Sequence, residues 1–220
     1  MDFMQELIES WHALQLGGPT LYPLLFLALM ALVILLDRAW IFWGFIRLPR
    51  SLDQLVSTYG FTWESLDEEI RRTGERNYYG RFCRNILDHR TRPLWWIESR
   101  AQDQAQILEK GMGRGLWVLE TIVTAAPLLG LLGTITGMMH AFNLIGGNGL
   151  VDPSGVTGGV AQALIATAVG IFIALIALFG FNYFSRQQTH ALEEMERLGT
   201  HLLDNLRLGY EFPASEQETP

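Results

Sequence analysis

Basic residues are absent from two long stretches of this chain: none precedes Arg38, and none lies between Gly115 and Ser185. Cysteine is reduced to Cys83 alone, which excludes an intrachain disulfide and leaves helix packing as its simplest role. No positively charged region opens the chain, because Asp2 and Glu6 stand where a secretory signal carries Lys or Arg. The formal net charge of -7, with acids and bases interspersed, excludes the basic face that nucleic acid requires. A phosphate loop is excluded as well, since Gly146, Gly147 and Gly149 follow no strand and precede no Lys. The apolar segments hold no cluster of His, Cys and carboxylates and no nucleophile beside a base, so neither a metal, a cofactor nor an enzymatic activity is expected.

Nearly uncharged runs fill 121–145 and 158–184, and each exceeds the roughly 20 residues that cross a bilayer. A third run, 21–36, continues past Asp37 and Arg38 through Trp40, Ile41, Phe42, Trp43 and Phe45 and so becomes long enough to span. The expected fold is all-α: an integral membrane protein with three transmembrane helices and long helices extended into the cytoplasm. Thirteen of the 16 Lys and Arg fall from Asp37 to Gly115 and three in the tail, so the positive-inside rule puts loop and tail in the cytoplasm. The pattern divides the chain into an external amphipathic interfacial helix (1–18), transmembrane helix 1 (19–46) and a cytoplasmic helical loop (47–115). Transmembrane helix 2 (116–145), an external turn (146–157), transmembrane helix 3 (158–184) and a cytoplasmic helical tail with a disordered end (185–220) follow.

Phe3, Leu7, Trp11 and Leu14 gather on one face of the first segment, which turns into the membrane at Gly17, Gly18 and Pro19. In the loop, Leu52, Leu55, Val56, Phe61 and Ile70 mark a helical stretch over 51–76 with a break near 59–61, and 77–80 reads as a turn. Phe82, Ile86 and Leu87 mark a second helix, interrupted at Pro93. Ile97, Ala101, Ala105 and Leu108 carry a third from Leu94 into the membrane. Leu192, Met195, Leu198, Leu202, Leu203 and Leu206 stripe the tail until Pro213, and mutual packing is the expected role of all these stripes.

The second and third spans carry small residues on one side. Gly130, Gly133, Gly137 and Ala141 line one face of the second, and Gly159, Ala163, Ala166, Thr167 and Gly170 share an arc of about 100° on the third, with Gln162 roughly 40° beyond its edge. Such a face admits another backbone at close range, in a tight bundle or beside a narrow polar path.

The run L-E-T-I-x-x-x-A-P-L-L-G-L-L-G-T-x-x-G-M at 119–138 and the run G-G-V-A-x-A-L-I-A-T-A-V-G at 158–170 are similar to the two signature spans of the MotA/TolQ/ExbB family of ion-driven motor subunits. Span order and the Asp37–Arg38 pair agree with it, and the short N-terminal helix and modest loop resemble the ExbB and TolQ branches. The resemblance implies a bacterial inner-membrane protein with its N-terminus periplasmic and its C-terminus cytoplasmic. It further implies a homo-oligomer, a pentamer, surrounding a dimer of an ExbD-like single-span protein whose intramembrane Asp carries protons, with motion passed to a TonB-like protein that serves outer-membrane transport. Thr134 and Thr167 match the hydroxyl positions facing the pore. Gln162 stands where ExbB and TolQ proteins carry Glu, and an amide does not titrate.

Each candidate has a plainer reading beside it. Thr134 and Thr167 either line a pore with Gln162 or bond to carbonyls of their own helix. His140 is a proton relay or a hydrated interfacial residue. Glu120 pairs with Arg114 or with a neighbouring subunit, and Asp37 and Arg38 form a boundary anchor. Trp40, Trp43, Trp95 and Trp96 are headgroup-level or packing aromatics. Gly130, Gly133, Gly137, Gly159, Ala163 and Gly170 are helix-packing positions. A motor subunit, a non-conducting membrane scaffold and a TolQ-like subunit serving envelope integrity remain the functions to separate.

Overall fold

A computed structural model describes residues 18–58, 61–74, 76–146 and 153–211. The expected interfacial helix, apart from Gly18, lies outside these residues, as do the middle of the outer turn and the polar end. The described elements are α1 (Leu21–Phe45), α2 (Arg50–Ser57), α3 (Trp63–Thr73), α4 (Tyr78–Asp88), α5 (Leu94–Met112), α6 (Leu116–Gly146) and α7 (Pro153–Glu211). No strand occurs among the described residues. Three helices are long and apolar enough to cross a membrane, over Leu21–Phe45, Leu116–Asn143 and Gly155–Leu208, with mean hydropathies of 2.3, 1.8 and 2.7. In hydrocarbon the backbone must satisfy its own hydrogen bonds, and an unbroken helix does so. This is an all-α membrane protein.

The chain forms two compact units, Met1–Leu36 with Gly115–Tyr183, and Asp37–Arg114 with Phe184–Pro220. In the first, α6 and α7 run antiparallel and meet along the small-residue faces. A Cβ on Gly130 would lie 3.0 Å from the Ala166 carbonyl oxygen, one on Gly137 3.0 Å from the Gly159 carbonyl oxygen, and one on Gly170 2.5 Å from the Ala126 carbonyl oxygen. Gly133 faces the Ala166 methyl, Gly159 the Ala141 methyl, and Ala163 is buried against Gly137. The backbone approaching the glycine face of α6 is thus α7 of the same chain. Thr20, just before α1, packs against Gly133, and Leu35 in the second half of α1 packs against Gly180.

The second unit is held by apolar stripes, as a water-exposed bundle requires. Leu52 and Val56 of α2, Leu66 and Ile70 of α3, Phe82, Cys83, Ile86 and Leu87 of α4, and Ile97, Ala101, Ala105, Leu108 and Met112 of α5 are buried, together with Met195, Leu198 and Leu202 of α7. Burial pushes the Cys83 thiol up to about 12, so it is inert at neutral pH. Polar bonds fix the helix order. Arg84 pairs with Asp67, joining α4 to α3, and Ser51 bonds Glu69, joining α2 to α3. Arg197 of α7 holds Asp53 of α2 and Glu194 at 2.6 Å, and these hydrogen bonds raise its own pKa further. Arg38 is 4% exposed; it donates to the Gly111 and Met112 carbonyls at 3.2 and 3.0 Å, capping the C-terminus of α5, and to Asp37 at 2.6 Å.

Three boundaries differ from the sequence reading. Residues 78–80 are not a turn but the first turn of α4, because Asn77 caps it, its Oδ1 accepting from the Tyr79 and Gly80 N–H groups. The helix from Leu94 does not run into the membrane: α5 ends at Met112, and Gly115 adopts φ +86° before α6 begins. The outer turn is shorter than 146–157, since Gly146 ends α6 and Pro153 opens α7, where its missing N–H costs nothing.

Two outcomes are expected. Gly137→Leu forces a branched side chain against Ala163 and the Gly159 carbonyl, destabilising the α6–α7 pair by about 1–3 kcal/mol or more; an unchanged melting temperature in detergent would refute the close seam. Arg38→Gln strips the charged cap from α5 and costs about 1–3 kcal/mol in chemical denaturation, whereas Arg71→Gln, whose partner bond is exposed, costs at most about 1 kcal/mol; equal effects would refute the cap.

Candidate functional site

The polar side chains of the membrane unit take their places from the α6–α7 seam. Thr134 follows seam residue Gly133 and Thr167 follows seam residue Ala166, so each is turned about 100° from that residue, toward one edge of the seam. Because the helices are antiparallel and face each other, the same turn on both leads to the same flank. Both threonines are half-buried. The Thr167 hydroxyl reaches across the pair and donates to the Gly130 carbonyl at 2.9 Å, while the Thr134 hydroxyl bonds within its own helix, to the Leu131 carbonyl at 2.7 Å. The two plain readings therefore divide: one threonine makes the local bond, the other links two helices.

Gln162 precedes seam residue Ala163 and so is turned the opposite way. Its side-chain amide lies directly against Gly18, which has φ +70° and has no side chain to obstruct it. The three residues grouped by sequence are separated: Thr134 and Thr167 share one flank of the pair, and Gln162 lies on the flank occupied by the start of α1.

The flank of Thr134 has further polar members that the sequence reading did not group with it. Glu120, Thr124, Pro127, Leu131, Thr134 and Met138 recur at spacings of four, three, four, three and four, and so share a strip of α6 next to the seam. Glu120 and Thr124 are exposed, and the Thr124 hydroxyl donates to the Thr121 carbonyl at 2.9 Å. That spacing was the signal available for them. Pro127 sits in the same strip and lacks the N–H that would bond the Val123 carbonyl, leaving one helix carbonyl unpaired by the ladder.

Among the boundary charges, Asp37 and Arg38 are bonded to each other as described above, and Arg114 and Glu120 are both exposed. His140 is exposed on α6. Trp40, Trp43 and Trp95 are exposed, and Trp96 packs on His89 at 4.9 Å with the Arg100 guanidinium 5.2 Å over its ring. Among the described residues no group of three or more His, Cys, Asp or Glu is placed to hold a metal.

The geometry now has relatives to set beside it. The profile of the MotA/TolQ/ExbB proton channel family matches residues 71–197, which takes in α6, the seam and the threonines. ExbB-like 1 of Synechocystis sp. is 32% identical over 194 residues, 84% of this chain and 74% of that protein. ExbB-like 3 of the same organism is 30% identical over 175 residues, 76% of this chain and 81% of its own length. The biopolymer transport protein ExbB of Xanthomonas campestris pv. campestris is 37% identical over 95 residues, 43% of this chain and 38% of that protein. With three membrane-length helices, a tight glycine seam and a match over more than half its length, the chain belongs to the MotA/TolQ/ExbB proton channel family and is ExbB-like within it.

Proposed function

We propose that this chain is the inner-membrane subunit of a proton-driven motor, assembling as a homopentamer around a dimer of an ExbD-like single-span protein and energising a TonB-like protein for outer-membrane transport. The observation that carries the reading is the shared flank of Thr134 and Thr167, two hydroxyls on one side of the helix pair, with Thr124 and Glu120 further along the same strip of α6. In hydrocarbon such groups face other protein or water rather than lipid. Gln162 occupies the opposite flank, so the titrating group is the partner's Asp, and this chain supplies hydroxyls along its route. Each charge moved through about 100 mV releases about 2.3 kcal/mol, and several per step drive a conformational change in a partner.

A non-conducting scaffold is the second reading, favoured by the absence of a carboxylate between Thr121 and Phe184 other than Asp152 in the outer turn. A TolQ-like role in envelope integrity is the third. The readings separate in a strain dependent on this chain. Thr134→Val and Thr167→Val keep side-chain shape and remove the hydroxyl, so both variants assemble with the partner but lose most gradient-driven uptake through an outer-membrane receptor. Gln162→Glu assembles and retains uptake, since the amide is half-buried at the edge of the helix pair. Full uptake by both Val variants favours the scaffold; unchanged uptake on deleting the gene, with a leaky envelope, favours the TolQ-like role.

Orientation is tested by thiol labelling against a silent background, because Cys83 is fully buried. A cysteine at Asn148 is labelled in intact spheroplasts and one at Thr73 only after permeabilisation. The reverse pattern inverts the proposed topology.

A further inference from the structure

We infer that one face of α1 is the lipid-contacting face of this protein and ends in a binding site for the headgroup of an anionic phospholipid, formed by Trp40, Trp43, Arg47 and Arg50. Tyr22, Phe26, Leu29, Val33, Leu36 and Trp40 recur at spacings of four, three, four, three and four, and each is more than half exposed, as is Trp43. The opposite face carries Leu21, Leu24, Ala31, Arg38 and Phe42, all buried. α1 is therefore packed on one side and bare along the whole of the other.

Lipid, rather than a second copy of the chain, is the occupant that this face fits. Helices that pack on each other within a membrane need small residues to approach along their length, as α6 and α7 do, and from Tyr22 to Trp43 the bare strip of α1 has none, Gly44 coming only at its end. It has instead aromatic residues at its two ends. From Tyr22 to Trp43 the helix rises about 31 Å, close to the hydrocarbon thickness of about 30 Å, which puts Tyr22 at one interface and Trp40 and Trp43 at the other.

Directly past that second interface come Arg47 and Arg50, both exposed and neither in an ion pair among the described residues. The chain that bears them is not loose. The Arg47 carbonyl accepts from Asn77 Nδ2 at 2.9 Å, and Asn77 is 9% exposed and caps α4 through its other side-chain atom. Nearby acids are engaged elsewhere: Asp37 by Arg38, Asp53 by Arg197, Glu69 by Ser51. Two guanidiniums outside any ion pair among the described residues, carried just past an aromatic belt by a chain held at the Arg47 carbonyl, are a site for a lipid phosphate in an anionic headgroup.

The inference rests on the membrane placement of α1 and not on the motor reading, so either can fail alone. The test uses the full chain purified in detergent, offered phosphatidylglycerol or phosphatidylcholine, with retained lipid counted by native mass spectrometry. The wild type retains phosphatidylglycerol in preference to phosphatidylcholine, and Arg47→Gln/Arg50→Gln lowers that preference by about fivefold for each guanidinium removed. Arg47→Lys/Arg50→Lys keeps most of it, and Arg207→Gln, far along α7, leaves it unchanged. In vesicles containing brominated phosphatidylglycerol, Trp40→Phe/Trp43→Phe loses a large part of the quenchable fluorescence. Equal retention of both lipids by the wild type, displacement of phosphatidylglycerol by inorganic phosphate at equal concentration, or a Gln double variant that changes oligomer mass while keeping its lipid would each overturn the site.

Discussion

Close contact between two backbones, α6 and α7, governs the membrane unit. Lipid tails are as apolar as leucine, so no hydrophobic force draws helices together there, and association depends on packing at short range. Glycine and alanine at the seam permit that range: where a Cβ on Gly170 would stand 2.5 Å from the Ala126 carbonyl oxygen, no larger residue fits. The seam also fixes the rotation of both helices, and with it every polar side chain beside it. Thr167 reaches the Gly130 carbonyl only because that backbone is near enough to accept.

The second unit obeys the opposite rule. Its helices are amphipathic, with buried stripes against charged outer faces, so ordinary hydrophobic burial holds it. Charges then choose the order of packing. Arg197, between Asp53 and Glu194, fastens α2 to α7, and Arg38 spends its guanidinium on the terminal carbonyls of α5. α7 meets both regimes in one 59-residue helix, changing from Gly and Ala seam residues to the Met195, Leu198 and Leu202 stripe as its surroundings change.

Gln162 gives the proposed mechanism its particular character. An amide in place of a carboxylate leaves the uncharged runs 121–145 and 158–184 without a carboxylate, and its contact with Gly18 gives it a part in holding the start of α1. On this reading the chain contributes hydroxyls and a shaped wall, and charge movement belongs to the partner. An ExbB-like stator need not carry the proton itself if its seam holds the threonines where the partner's acid passes.

Much of this was legible in the sequence. Apolar length gave three spans, because a bilayer's thickness is fixed and a helix rises a fixed distance per residue; the glycine and alanine periodicity gave the seam, because helical neighbours recur every three to four residues. The signature runs gave the family. Local caps escaped: Asn77 opens α4 with a hydrogen bond that a turn-like sequence conceals, and the stop at Gly113–Gly115 depends on a positive φ that composition only permits. Periodicity placed Thr134, Thr167 and Gln162 near one small-residue face, but the α6–α7 seam decides which flank each occupies, and where α1 lies decides what Gln162 meets there. Sequence determines the angle of a side chain around its own helix; only tertiary packing decides what stands at that angle, because the neighbour is brought there by contacts from a segment more than a hundred residues away.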